Sequence, residues 1–402
     1  MRHTAFRNPF RPGAGQMPPY LAGRDVEVEQ FKQFLSQTTI LENMLLTGLR
    51  GTGKTVLLET LKPMAIEEGW LWAGADLSES TSVTEGTLAV RLLTDLAVVT
   101  SSLVIGTEEV AGLGFGATPR VREQRLNYQA LVELYDQTPG LMVDKLKRVL
   151  EDVWGELGKT QARGIVFAYD EAQNMSDHPA KEQYPLALLL DVFQSIQRKG
   201  IPFMLALTGL PTLFPKLVEA RTFAERMFHV IFLDSLNRED SRDAISKPIQ
   251  SAGCPVKLDS GLVTRIVGAS AGYPYFIQFI CREVYDIVLY KLSQGRSPTI
   301  LMEEIVRKLD ADFFAGRWAK ASDRQRDLLC VIASLDSADE EFTVQGIVEQ
   351  SRNLLDKPFS ASHVNQMLAA LSKAGLIYKN RHGKYSFAVP LFGQFVLRQV
   401  TG

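Results

Sequence analysis

Short apolar runs recur through the first 235 positions of this chain, separated by stretches with apolar residues every three or four positions. Asn43 to Thr47, Trp70 to Ala75, Ile165 to Asp170, Phe203 to Thr208 and His229 to Leu233 are the runs, and each predicts a buried strand. Helical spacing opens at Gly23-Arg24-Asp25, with Val26, Val28, Phe31, Phe34 and Leu35 on one face. It returns over Val56 to Leu61, Val83 to about Val99, Leu141 to Leu157 and Leu186 to Arg198. Strands alternating with helices predict a parallel α/β sheet up to about Asp234. Ahead of it, the residues to about Tyr20 are rich in Pro, Gly and Arg and predict extended chain. From Ile105 to Asn127 the pattern breaks: Gly106, Gly112, Gly114 and Gly116 precede Arg120, Arg122 and Arg125. This stretch reads as a mobile insertion whose arginines either line a DNA channel or sit in a solvated loop.

Beyond Asp234 the period is helical throughout: Arg238 to Ala252, Leu262 to Ala269 and Tyr275 to Leu292. A composition shift at Gln294-Gly295-Arg296-Ser297-Pro298 marks a linker. From about Ala321 the order is three helices and two short strands. Phe342 to Gln350 and Ser362 to Ala374 have a helix-turn-helix rhythm, with Ser362 as N-cap and Val364, Met367, Leu368 and Leu371 as apolar face. Gly375 to Lys379 and Tyr385 to Val389 then form a hairpin, which predicts a winged helix. The boundaries that follow are an extended segment over 1–22, an α/β core over 23–235, a helical lid over 236–298 and a winged-helix-like domain over 299–402.

Composition narrows the picture. A net charge of −2 leaves no global field for nucleic acid or membrane, so any DNA contact must be a local patch. Cys254, Cys281 and Cys330 are far apart and form no metal-ligand pair, which suits a reducing compartment. Neither an N-terminal apolar h-region nor a run long enough to span a bilayer is present, so a cytoplasmic protein without membrane contact is expected.

The candidate chemistry lies at the end of the first strand. Gly48-Leu49-Arg50-Gly51-Thr52-Gly53-Lys54-Thr55 matches the Walker A pattern at every required position, and Val56 begins the following helix. Glycines let backbone N–H groups turn inward around an anion, and the helix start adds its dipole. Lys54 is placed to reach the β- and γ-phosphates of ATP, and the Thr55 hydroxyl to ligate Mg2+. Asp170-Glu171 closes another apolar run, where open α/β sheets place their ligands. Asp170 is the candidate metal residue and Glu171 the general base for the attacking water. Thr208 is either a sensor of the γ-phosphate or a satisfied strand-end hydroxyl. Arg226 is either an arginine finger for a neighbouring subunit or a surface ion-pair residue, with Arg221 as its rival.

Walker A, Asp170-Glu171-Ala172-Gln173 and the Thr208-Gly209-Leu210-Pro211 turn together resemble one branch of the AAA+ P-loop ATPases. That branch holds origin-recognition ATPases, transposition-helper ATPases and STAND signalling ATPases. Pro18-Pro19-Tyr20-Leu21-Ala22-Gly23-Arg24 resembles their N-terminal box, which implies Tyr20 and Leu21 beside the adenine. Gly272-Tyr273-Pro274 resembles the GxP motif of the STAND lid, which implies Pro274 near the nucleotide. Initiators usually carry an arginine early in the lid helix. This chain has none until Arg282, which favours the signalling or transposition-helper side.

Two functions remain open. One is an ATP-driven switch acting on double-stranded DNA as a homo-oligomer. His363, Asn365, Gln366 and Lys373 would face the groove, with Lys379, Arg381 and Lys384 on phosphates. Acids at Asp336, Asp339, Glu340 and Glu341 oppose that charge. The other is a signalling or defence switch whose winged helix is an autoinhibitory or protein-contact module. Such proteins usually append a sensor or effector, and this chain stops at Gly402, which suits the DNA switch or an ATPase subunit with a separate effector protein.

Overall fold

The computed structural model describes residues 7–13, 15–77, 84–110, 120–254, 257–297, 299–381 and 383–401. The chain divides into two compact units, one of residues 26–47 with 57–232, the other of residues 1–25 with 48–56 and 233–402.

The first unit is built on five parallel strands, β1 (Asn43–Thr47), β2 (Trp70–Asp76), β5 (Gly164–Asp170), β6 (Phe203–Gly209) and β7 (Phe228–Phe232), in the order β2-β5-β6-β1-β7. β1, β5 and β6 are buried at every position, which is why their sequences are apolar runs and not alternating ones. Of the two buried polar side chains of β1, Asn43 and Thr47, Asn43 is bonded at both ends of its amide. Its carbonyl oxygen accepts from the Leu205 N–H at 2.8 Å and the Gln197 amide at 2.8 Å, and its amide donates to Met227 at 3.1 Å. These bonds fix the register of β1 against β6, with Leu46 opposite Thr208 and Thr47 opposite Gly209. The carboxyl ends of β1, β5 and β6 therefore share one edge.

The helices of this unit are α1 (Asp25–Leu35), α2 (Lys54–Glu67), α3 (Glu85–Thr100), α4 (Tyr128–Gln137), α5 (Met142–Leu157), α6 (Pro185–Gln197), α7 (Leu213–Ala220) and the single turn α8 (Ala224–Met227). Phe167 of β5 meets Phe193 of α6 edge-on at 5.0 Å and Phe203 of β6 at 5.7 Å. The Trp70 indole N–H donates to the Leu35 carbonyl at 3.1 Å and ties α1 to β2.

Two expectations are corrected here. The inward face of α1 is Phe31, Phe34 and Leu35, whereas Val26 is 69% exposed. At 3.6 residues per turn, Val26 stands about 140° round the helix from Phe31. The stretch read as a mobile insertion contains β3 (Val104–Val110) and β4 (Arg120–Arg125), paired antiparallel from Val104 opposite Arg125 to Val110 opposite Arg120. Backbone pairing organises this ribbon. Arg125 is ion-paired with Glu123 at 2.8 Å. Gly112, Gly114 and Gly116, and the side chains of Arg120 and Arg122, lie outside what is described.

The second unit holds α9 (Arg238–Ser251), α10 (Ser260–Ser270), α11 (Pro274–Ser293), α12 (Met302–Leu309), α13 (Ala315–Trp318), α14 (Asp323–Ala333), α15 (Val344–Leu354), α16 (Ala361–Lys373) and α17 (Phe392–Thr401). A three-stranded antiparallel sheet, β8 (Phe342–Thr343), β9 (Ile377–Arg381) and β10 (Lys384–Phe387), has the order β8-β10-β9. Asn237 and Asp259 cap α9 and α10 by accepting from the third N–H of each helix, at 2.8 Å in both. A cap is also corrected. Ser360, not Ser362, begins α16, its hydroxyl accepting from the His363 N–H at 3.3 Å, while Ser362 lies inside the helix. Val364, Met367, Leu368 and Leu371 are its buried face, as their spacing predicts. One apolar core runs from Phe10 through Ile245, Ile277 and Phe314 to Leu368 and Phe392. Between α12 and α13 the chain makes a π-helical turn, Asp310–Phe314. Arg398 of α17 grips its Asp310 with two bonds, at 2.8 and 2.6 Å, and Phe314 stacks on Phe395 at 5.2 Å.

A candidate nucleotide site

The glycine-rich loop follows β1 directly, and its conformation depends on its glycines at three places. Gly51 and Gly53 have φ of 83° and 91°, the left-handed region that side chains avoid. Gly48 is excluded from substitution by space, because a methyl group there would stand 2.3 Å from the Leu233 carbonyl oxygen. α2 begins at Lys54 with no acidic residue in its first turn, so no carboxylate of that turn competes for the positive end of its dipole. The Lys54 ammonium is buried and donates to the carbonyls of Gly48 and Leu49, both at 2.9 Å. Thr52 is also buried, its hydroxyl donating to Leu49 at 2.9 Å.

Outside the loop, two features support it that sequence reading did not single out. The Arg24 guanidinium is buried, and it donates to the Thr52 carbonyl at 3.0 Å and the Asp234 carbonyl at 2.8 Å. The N–H of Tyr275, in the first turn of α11, donates to the Gly51 carbonyl at 3.2 Å. Removing Arg24 leaves the buried Thr52 carbonyl without its charged donor, at about 1–3 kcal/mol, and frees the partly buried Asp234 carbonyl to water. Arg24→Ala is therefore expected to weaken nucleotide binding about tenfold, with Arg24→Lys intermediate. Titration with a fluorescent ATP analogue checks this, and an unchanged affinity would show that the loop holds its shape without the clamp.

The acidic strand end is constructed in the first unit. Asp170 is buried, and one of its carboxylate oxygens accepts from the Thr208 hydroxyl and from the Glu171 N–H at 2.7 Å. Thr208 is fully buried, so its hydroxyl orients the carboxylate of Asp170. Glu171 has φ 53° and ψ 34°, a left-handed conformation costing a side-chain-bearing residue on the order of 1 kcal/mol. That twist carries the chain into a single 3₁₀ turn, Ala172–Asn174, and leaves the Glu171 side chain exposed. Its carboxylate accepts from the Gln173 amide, whose own oxygen accepts from the Leu210 N–H at 3.0 Å. Lys216 holds the same turn from α7, donating to the Gln173 carbonyl and the Ser176 hydroxyl at 2.9 Å each, and burial lowers its pKa. Gln173 and Lys216 are thus further residues of this site. Their role rests on contacts some forty positions apart, which no local pattern carries.

The remaining candidates are dispersed. Tyr20 is half-buried beneath Lys247, whose ammonium lies 4.4 Å above its ring and bonds its hydroxyl at 2.7 Å. Leu21 is half-buried, and Pro274 is the first residue of α11. Arg226 is exposed on α8, with no side-chain partner among the described residues. Arg221 is already committed to Asp191 through bonds of 2.8 and 2.6 Å. No group of three or more His, Cys, Asp or Glu able to hold a metal occurs among the described residues, and no described helix is long and apolar enough to cross a membrane.

The strand order, the loop after β1 and the acid at the end of β5 define the fold of an AAA+ P-loop ATPase. A Walker-type ATPase of Pyrococcus abyssi is similar in structure, with TM-score 0.56 and 16% identity over 94% of this chain and 96% of that one. The ORC2 protein of Aeropyrum pernix is similar too. Its ADP form gives TM-score 0.54 and 15% identity over 97% of this chain and 98% of that one. Its ADPNP–ADP form gives 0.52 and 15% over 97% and 96%. A domain of unknown function, DUF8462, matches residues 311–396. Among curated protein sequences the chain finds no relative.

Proposed function

We propose that this protein binds and hydrolyses Mg-ATP and uses the cycle as a switch acting on double-stranded DNA. The observation that carries the nucleotide reading is the loop itself: left-handed Gly51 and Gly53, a buried lysine and a helix N-terminus whose first turn carries no acid form a cradle for a polyphosphate. A side chain at Gly53 would meet nothing within 4 Å, so the cradle has room on that side. The hydroxyl of Thr55 and the carboxylate of Asp170 are hard oxygen donors of the kind Mg2+ takes, and the ion needs only one or two of them beside phosphate oxygens. When bound, the ion supplies charge neutralisation at the phosphates. Lys54 contributes a cation to the β- and γ-phosphates, Thr208 orients Asp170, and Glu171 takes the proton of the attacking water. The ORC2 protein was solved with ADP and ADPNP, which supports a nucleotide of this class.

The C-terminal module, α14, β8, α15, α16 and the β9–β10 hairpin, has the element order of a winged helix. His363, Asn365, Gln366 and Lys373 are all exposed on α16, and Lys379 is exposed on β9, which supports a DNA-facing surface. The side chain of Arg381 lies outside what is described. Exposed Arg226 serves as a finger to a neighbouring copy, and the three free cysteines suit the cytoplasm. A separate effector chain is the alternative partner.

One observation favours the signalling reading: lid helices α9–α11 and the C-terminal module share a single core. A module so held would act as an internal clamp. Turnover measured with and without duplex DNA, beside an Asp170→Ala control, separates the two. A several-fold stimulation is expected, with retention on duplex falling steeply between about 50 and 200 mM salt. Turnover blind to DNA, with ADP carried through purification, would replace this proposal by the signalling switch.

A further inference from the structure

Lys54 shows which edge of the loop faces the terminal phosphate. Its ammonium, the group that meets β- and γ-phosphates, bonds the carbonyls of Gly48 and Leu49. The next residue along that edge is Arg50, whose side chain is exposed and runs towards the C-terminal module: its terminal nitrogen is 3.8 Å from where a side chain at Gly375 would begin.

A second guanidinium is brought to Arg50 from the module side. The N–H of Tyr275 is bonded to Gly51, its ring lies 5.0 Å from that of Phe313, and Phe313 belongs to the π-helical turn. Arg317 of α13 rests 4.3 Å above the Phe313 ring and donates to the Phe313 carbonyl. Its pKa is lowered, first by burial and then by the charge of Arg50, so the two like charges feel one another. Among the described residues no carboxylate is ion-paired with either arginine. Arg317 is half-buried and Arg50 exposed, and two like charges beside one loop gain from an anion between them, for which paired guanidinium forks suit phosphate oxygens. Meanwhile the first arginine of α11, Arg282, is engaged elsewhere, on Asp286 at 3.0 Å and on the Phe10 carbonyl at 3.3 Å.

We propose that Arg317 and Arg50 form a two-arginine clamp on the terminal phosphate of the nucleotide, so that the C-terminal module itself distinguishes ATP from ADP. This rests on the nucleotide reading above. It gives the module a direct stake in the nucleotide state, through a side chain that only the triphosphate engages.

The test is equilibrium titration of the full chain with fluorescent ATP and ADP analogues, for wild type, Arg317→Ala, Arg317→Lys and Arg50→Ala. Arg317→Ala is expected to lose about tenfold in ATP affinity while ADP affinity stays within about twofold. Arg317→Lys should recover part of the loss. Arg50→Ala, exposed and outside the core, should reproduce the ATP-selective loss with an unchanged melting temperature. Equal losses for ATP and ADP, or no loss, would overturn the clamp. A loss of retention on duplex DNA with nucleotide affinities unchanged would overturn it as well, by giving the arginines to a DNA phosphate. Wild type binding neither nucleotide would remove the nucleotide reading, and the clamp with it.

Discussion

Lys54→Ala is expected to reduce ATP affinity by about a hundredfold or more, on the order of 3 kcal/mol, while leaving the secondary structure intact. The ammonium is already desolvated in the loop, held by the carbonyls of Gly48 and Leu49. A phosphate entering the cradle therefore meets a cation that has lost much of its water, which strengthens the charge-assisted bond. Alanine removes that bond and leaves two carbonyls with one donor fewer. Because Gly51 and Gly53 still impose the turn, the loop keeps its course and the loss falls on the ligand. Isothermal titration with Mg-ATP, with circular dichroism as the folding control, reads the effect. Binding within a few-fold of wild type would mean that the loop is not where ATP sits.

Glu171→Gln should separate binding from chemistry. A general base contributes about 10²- to 10⁴-fold, so turnover is expected to fall at least a hundredfold with ATP affinity nearly unchanged. The substitution is close to isosteric, and glutamine can still accept from the Gln173 amide, so the turn at Ala172–Asn174 should persist. A protein that retains ATP through gel filtration where wild type releases ADP would be the signature. Hydrolysis at the normal rate would assign the base to another residue and leave Glu171 a structural role.

The parts of this fold written in local patterns were legible. β1, β5 and β6 are buried on both faces, so each is an uninterrupted apolar run, and the glycine spacing of the loop has a steric cause at each position tested. The apolar face of α16 followed from its period alone. What escaped is held by contacts without a local signal. The β3–β4 ribbon has no helical or strand-like apolar period in its sequence and is organised by its backbone pairing. Ser360 and Ser362 both have capping chemistry, and only the point where the helix begins chooses between them. Arg24 and Gln173 stand among the quoted motifs, yet their tasks as clamp and as partner of Glu171 are fixed by distant segments. α12 and α17 are amphipathic but short, and follow stretches read as linker or hairpin.

The phosphate loop belongs to a unit drawn from three separated pieces of chain. Its braces come from far away: Arg24 meets Asp234 across 210 positions, Gly48 abuts Leu233, and Gly51 waits for Tyr275. High contact order of this kind makes the loop a late product of folding, since closing so long a segment costs entropy before any bond forms. During synthesis the loop is complete only after residues past Tyr275 have left the ribosome, so a growing chain carries the sequence of a nucleotide site well before it carries the site. A fragment ending near Asp234 would hold every strand of the parallel sheet and still lack the Tyr275 brace, which makes it a poor substitute for the whole chain in any assay of nucleotide binding.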